Sequence, residues 1–265
     1  FKKDISEEAG QHFRERETQI IRIPASEIEE NVLDKIENLR FKSTTRGESL
    51  FKVTLLKAFL SSPHALIETL IHRMKNIQKN IDDKKGDIEY QSADRNMLQD
   101  LKSIAEKVLL DDFSKLKEFK TQLLNIGWSG KKASPRVIVF SERIITLKLL
   151  QDYFLAEFGL KKETIDLFHA GLPDIEQQRI VDDFGKGDAK VRMMLATDVA
   201  SEGVNLHYHC HNMIHFDIPW SLIRMEQRNG RVDRYGQENK SLIQYLMTVS
   251  KNKNVKSDLR VLDRL

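Results

Sequence analysis

Pro135-Arg-Val-Ile-Val-Phe-Ser141 is a short apolar run without polar alternation. Such a run reads as a strand covered on both faces, as inner strands of parallel sheets are. Outward from it, Ile145 to Phe158 forms an amphipathic stretch with Leu147, Leu150, Tyr153, Phe154 and Phe158 near helical spacing. Ile165-Asp-Leu-Phe-His169 reads as a second strand, and Pro173 opens a helix carrying Ile175, Ile180, Val181 and Phe184. Arg192-Met-Met-Leu-Ala-Thr197 and Asn212-Met-Ile-His-Phe-Asp217 are third and fourth strands, and Ser241 to Val249 is a final one. Strand and helix alternating at short intervals predict an α/β fold with a parallel sheet. Ligands gather beyond the carboxyl ends of such strands. Ser141, His169 to Gly171, Thr197 to Gly203 and Asp217 to Trp220 fall there.

After the fourth strand, Ile218-Pro-Trp220 leads into Glu226-Gln-Arg-Asn-Gly-Arg-Val-Asp-Arg-Tyr-Gly-Gln237. Arg228, Arg231 and Arg234 are three residues apart, so a continuous helix would carry them along one side. Guanidinium grips phosphate oxygens bidentately and keeps its proton. An arginine row alone also suits a solvated helix face. The order of the segments upstream decides for phosphate.

Val-Ile-Val-Phe-Ser141, Phe168-His-Ala-Gly171, Ala196-Thr-Asp-Val-Ala-Ser-Glu-Gly203, Phe216-Asp-Ile-Pro-Trp220 and Gln227 to Gln237 follow one another within residues 135–237. Together they resemble the second RecA-like lobe of superfamily-two nucleic-acid motors of the Swi/Snf type, most of all the bacterial RapA-like group. Phe1-Lys-Lys-Asp-Ile5 resembles that family's segment just after its first lobe; residues 41–130 do not share the likeness. The resemblance implies a RecA-like sheet with helices on both faces and an ATP-dependent double-stranded DNA translocase rather than a strand-separating enzyme. It implies that Arg231 and Arg234 are arginine fingers, reaching the γ-phosphoryl of ATP and Mg²⁺ bound mainly by the first lobe. Gln227, Arg228, Gly203, Glu202 and Asn205 are implied as support for the ATP cleft. Ser141, His169, Gly171, Thr197 and Ser201 are implied along the nucleic-acid track. Small hydroxyls and exposed amides there hold phosphates without reading bases, although Ser and Thr at such turns also serve as ordinary helix caps.

A complete motor needs a phosphate loop and an acidic magnesium motif. Gly127-Trp-Ser-Gly-Lys-Lys-Ala-Ser134 has its glycines too close for the first, and no Asp-Glu pair supplies the second. The sequence therefore reads as a fragment, half of an ATPase and inactive alone. Forty-three basic and forty acidic residues leave a net charge of +3, which decides nothing about nucleic acid. A single cysteine, Cys210, excludes an internal disulfide framework and fits a reducing compartment. No apolar run approaches the roughly 20 residues that span a bilayer, and no signal-peptide pattern follows Phe1. These features predict a cytoplasmic protein, nucleoid-associated if bacterial, without membrane contact.

The N-terminal half predicts a strand from Glu17 to Ile23 and a helix from Ala25 to Leu39, capped by Ser26 with Glu29 at capping-box spacing. Phe51 to Leu60 reads as helical, and Ser62 to Ile81 holds an apolar stripe broken at Asp82-Asp-Lys-Lys-Gly-Asp87. A long helix is expected from about Ala93 to Ile126, so that 62–130 forms an antiparallel helical hairpin. The expected domains are 1–61, the segment following the first lobe; 62–130, a helical insertion able to dock a protein partner; and 131–265, the RecA-like lobe. Two other classes compete: a non-catalytic interaction module, and a metal-stabilised nucleic-acid binder built on His207-Tyr-His-Cys-His211 with His215 nearby. No second ligand cluster of standard spacing follows, so no metal ligand is assigned.

Overall fold

The computed structural model describes residues 16–43, 48–201, 206, 209–234, 236–237, 239–252 and 255. The chain divides into two compact units, one of residues 1–21 with 121–246, the other of residues 22–120 with 247–265. Six strands form one sheet in the order β1-β6-β5-β2-β4-β3. They are β1 (Glu17–Pro24), β2 (Val137–Phe140), β3 (Ile165–Phe168), β4 (Met193–Ala196), β5 (Asn212–His215) and β6 (Leu242–Val249). β2 pairs in parallel with β4 and β5, β3 with β4, and β5 with β6. The bonds Glu17 N–H to Ser241 O and Ala25 N–H to Val249 O run in step along β1 and β6, so that pair is parallel too.

Every residue of β2, β4 and β5 is buried. That is the physical content of the unalternated apolar runs. The helices α6 (Ile144–Glu157), α7 (Asp174–Gly185) and α8 (Leu222–Asn229) follow β2, β3 and β5. From β2 the chain moves to the β3 edge, then returns to β4, and later crosses β2 to reach β5. Right-handed crossovers in opposite directions put α6 and α7 on opposite faces of the sheet. Connections leave the adjacent strands β2 and β5 toward opposite edges, so the topological switch point lies between their carboxyl ends. Trp128 is fully buried in this unit, with Nε1–H donating to Arg192 O at 3.0 Å and the ring edge-on to Phe154 and Phe158.

The second unit holds α1 (Glu27–Glu37), α2 (Glu48–Ser61), α3 (Pro63–Asp82) and α4 (Ile88–Ala105), with the first residues of α5 (Ser114–Asn125). The capping box forms as spaced: Ser26 Oγ accepts from Glu29 N–H, and the Glu29 carboxylate accepts from Ser26 N–H. Glu29 also accepts from Ser114 Oγ at 2.6 Å, which satisfies a carboxylate that is almost wholly buried. One expectation fails here. The long helix from Ala93 to Ile126 is two helices, α4 and α5, separated by residues 106–113 with a short 3-10 turn at Leu110–Asp112. The heptad-like spacing continues across the break because Val108 and Phe113 are themselves buried, as are Leu101, Ala105 and Leu116. Apolar periodicity cannot distinguish a bent path from a straight one when both bury the same side chains. The first helix of the expected hairpin keeps its extent, and Asp87 caps the second through Tyr90 N–H.

Candidate functional site

The carboxyl ends of β3, β4, β2 and β5 lie side by side in that order. They bring together His169 and Gly171, then Thr197, then Ser141, then Asp217. Backbone bonds tie the row: Thr197 N–H donates to Phe168 O at 2.9 Å and Ser141 N–H to Ala196 O at 3.0 Å. Ser141 is fully buried. Its hydroxyl donates to Asp217 Oδ2 at 2.5 Å and accepts from Arg143 N–H at 3.1 Å. Asp217 Oδ2 also accepts from Glu142 N–H at 3.1 Å. A carboxylate at the switch point thus fastens the turn entering α6. The Ser141 hydroxyl serves that turn from the inside, and the exposed position beside it belongs to Glu142.

His169 is half-buried, and its Nδ1 accepts from Gly171 N–H at 3.1 Å. That bond leaves its proton on Nε2. Burial, helped by Lys148, pushes its pKa below the usual histidine range, so the ring is a neutral donor at Nε2. A Cβ on Gly171 would approach His169 Nδ1 to 3.1 Å, which is why the smallest residue suits this turn. Beside β3 opens a groove of about 650 Å³ lined by His169, Asp166, Arg179 and Lys190 among others. Thr197 is half-buried, and Ser201 ends a 3-10 turn over Asp198–Ser201. Glu202, Gly203 and Asn205 lie outside the described residues.

The arginine row is not one helical stripe. α8 stops at Asn229, and Gly230 caps it with φ −63°, its N–H bonding back to Glu226 O. Arg228 therefore sits in the last helical turn, while Arg231 and Arg234 lie on the turns that follow. Three-residue spacing puts side chains on one face only while the helix persists. Arg231 is half-buried, and its Nε donates to Gln227 O at 3.3 Å; Arg234 and Gln227 are exposed. Gln237 holds the far end of these turns, donating to Cys210 O and Val232 O, both at 3.1 Å.

Arg228, unlike Arg231 and Arg234, is fully buried. Its side chain is 0 % exposed, against 31 % for that of Asp198, its partner. Nε donates to Asp198 Oδ1 at 2.7 Å, and Nη2 approaches the same oxygen at 2.5 Å as an ion-pair contact rather than a directed hydrogen bond. Nη1 donates to Asp217 O at 3.1 Å, and the guanidinium lies 5.0 Å over the Phe140 ring. Asp198 also meets Arg224 Nη1 at 3.2 Å. One buried cation thus joins the ends of β4 and β5 to the root of the Arg231–Arg234 turns. Asp198 and Asp217 were legible as polar residues at strand ends. His215, which stands beside Arg228, was noticed in the sequence only as a neighbour of the histidine cluster, and Asn229 and Tyr245, which hold its ring, gave no signal.

Cys210 is buried, its Sγ–H directed at backbone carbonyls such as Asn212 O at 3.3 Å, and desolvation pushes its pKa up to about 12. A thiol so held is not a metal-ready thiolate. Among the described residues no group of three or more His, Cys, Asp or Glu could hold a metal ion; His207 lies outside them.

Residues 114–236 match the helicase conserved C-terminal domain. The matched residues include β2 to β5, α8 and both turn arginines. YqhH of Bacillus subtilis (strain 168), described as an uncharacterized ATP-dependent helicase, is 28 % identical over 232 residues, 87 % of this chain. The chain spans only 37 % of that relative's length. Two solved structures share the fold. The C-terminal part of the Fun30 ATPase domain superposes with a TM-score of 0.56 at 17 % identity, covering 95 % of this chain and 89 % of its own. The Hef helicase domain of Pyrococcus furiosus gives 0.55 at 15 % identity, covering 92 % and 57 %. Among the described residues no helix is long and apolar enough to cross a membrane.

Proposed function

We propose that this chain is the second lobe of an ATP-dependent double-stranded DNA translocase of the Swi/Snf type, nearest to the RapA-like group. The observation that carries the reading is the buried Arg228, bonded to Asp198 and Asp217 at the ends of β4 and β5, with Arg231 and Arg234 on the turns directly after it. In this reading the first lobe of the same protein holds ATP and Mg²⁺. Arg231 and Arg234 are carried across to the γ-phosphoryl, where guanidinium neutralises charge that grows in the transition state. Two cations on turns, one half-buried and one exposed, fit an anionic ligand. Among the described residues no group of three or more acidic or histidine side chains is placed to hold Mg²⁺, and this reading assigns the ion to the first lobe and the phosphates. Arg228, with Gln227, Glu202, Gly203 and Asn205, supports that cleft, and Arg228 does so by holding the root of the turns.

DNA runs along the ends of β3, β4 and β2 in this reading. His169 Nε2–H, Thr197, Ser201 and the amides near Ser141 and Gly171 face its phosphates. Residues 62–130 serve as an insertion that docks a protein partner, and the protein works in the cytoplasm, on the nucleoid if the source is bacterial. Phosphate contacts carry no base information, so the intact protein should bind unrelated duplexes alike, with affinity falling steeply as salt rises. Replacing Thr197 or Gly171 with Glu should weaken duplex binding about tenfold or more, because each places a carboxylate against phosphate. Equal affinity in wild type and both variants would move the DNA path elsewhere.

A further inference from the structure

His215 is a fully buried ionisable group that the functional reading does not use. It lies at the end of β5, with its ring stacked on Tyr245 at 4.4 Å and 11° and on Phe140 at 6.0 Å and 25°. Its Nε2 meets Asn229 Oδ1 at 2.9 Å. Asn229 donates through Nδ2 to Tyr245 Oη at 2.9 Å and to Glu226 Oε1 at 3.3 Å. The amide orientation therefore offers His215 an acceptor, which fixes the ring proton on Nε2. Nδ1 is left as a lone pair, and Arg228 Nη1 stands 3.5 Å from it, a long contact in a wholly buried setting. A second proton on this ring would set imidazolium against guanidinium with no carboxylate between them. Burial and Arg228 both resist it, leaving the ring neutral far below the usual histidine range.

We propose that His215 is a positioning residue of the motor: its neutral Nδ1 edge, oriented by Asn229 and Tyr245, sets the Arg228 guanidinium in the one pose that reaches Asp198 and Asp217 O together. This inference rests on the finger reading above. Arg228 holds the carboxyl ends of β4 and β5, and Arg231 lies three residues beyond it. A guanidinium that slips toward the space left by Nδ1 loosens the turns that carry Arg231 and Arg234. Binding of ATP to the first lobe is untouched, whereas the transition-state contact is not.

Two substitutions separate positioning from packing. His215→Phe keeps the aromatic stack and removes the acceptor. His215→Asn loses the ring but puts Oδ1 where Nδ1 was. In the intact protein, His215→Phe should lower DNA-stimulated kcat about 10- to 100-fold, as displacements near 1 Å do, with KM for ATP and melting temperature close to wild type. His215→Asn should melt earlier yet keep kcat within about threefold of wild type, since the acceptor survives. Wild-type kcat in His215→Phe, or losses in both variants that follow their melting temperatures, would overturn the proposal. Should His215→Phe not fold, Asn229→Leu asks the same question by removing the acceptor for Nε2–H; it should lower kcat at constant KM, and an unchanged kcat would again overturn it. Arg231→Ala runs beside them. If that variant is inactive while His215→Phe is normal, only the positioning role fails; if Arg231→Ala is itself normal, the finger reading fails first.

Discussion

Removal of the Asp198 carboxylate tests the buried Arg228 directly. Breaking a buried ion pair from one side costs about 3–5 kcal/mol, because a charge is left without its partner. Here the cation keeps Asp217 O at 3.1 Å and the Phe140 ring at 5.0 Å, and the Asp198 side chain is 31 % exposed, so water can enter where the carboxylate was. Asp198→Ala should therefore cost about 2–3 kcal/mol, which lowers the melting temperature by roughly 5–10 °C in a chain of this size. Trp128 is fully buried in the same unit, so its fluorescence reports the relevant transition. Arg228→Met is the informative partner. It removes the cation, leaves Asp198 able to hydrate, and should cost less, on the order of 1 kcal/mol. The double variant should then be no worse than Arg228→Met, giving a coupling of about 2 kcal/mol or more. A cost below about 0.5 kcal/mol for Asp198→Ala, or strict additivity in the cycle, would refute the anchoring role.

Other outcomes follow from the buried titratable groups. His215 has its pKa pushed down to about 3 by burial and by Arg228. The unfolded chain takes up a proton below about pH 6.5 and the folded one does not, so stability present above that pH is lost as pH falls. The slope it contributes approaches about 1.4 kcal/mol per pH unit, and His215→Phe should flatten the curve between pH 6.5 and 5; parallel curves would remove the buried neutral ring. Cys210, held up to about 12, should resist alkylation at pH 8 in the folded protein and react on unfolding. Above about pH 9 its ionisation in the unfolded chain alone should lower stability. Rapid alkylation of the native protein at pH 8 would contradict its burial.

The sheet was legible because inner parallel strands must be apolar on both faces, and Val137–Phe140, Met193–Ala196 and Asn212–His215 are short enough to exclude helices. The capping box at Ser26 and Glu29 was legible because its two hydrogen bonds are local. The break between α4 and α5 was not, since Val108 and Phe113 continue the buried stripe through a non-helical turn. The site divides the same way. Residues at strand ends announce themselves by position, as Thr197, Asp198 and Asp217 do. Arg228 was legible as a member of the arginine motif, but its burial was not: only the fold shows Asp198, brought from thirty positions upstream, turning that charge inward. Asn229 and Tyr245 are visible only through the ring they hold.

In the proposed function the turns after α8 deliver positive charge to the transition state of a nucleotide bound elsewhere in the protein. The direct measurement is DNA-stimulated ATP hydrolysis by the intact protein carrying Arg231→Ala, with ATP affinity measured on the same preparation. In that variant kcat should fall about 10³-fold or more, with ATP affinity within about threefold of wild type. Wild-type turnover in that variant, or a loss confined to ATP binding, would contradict it.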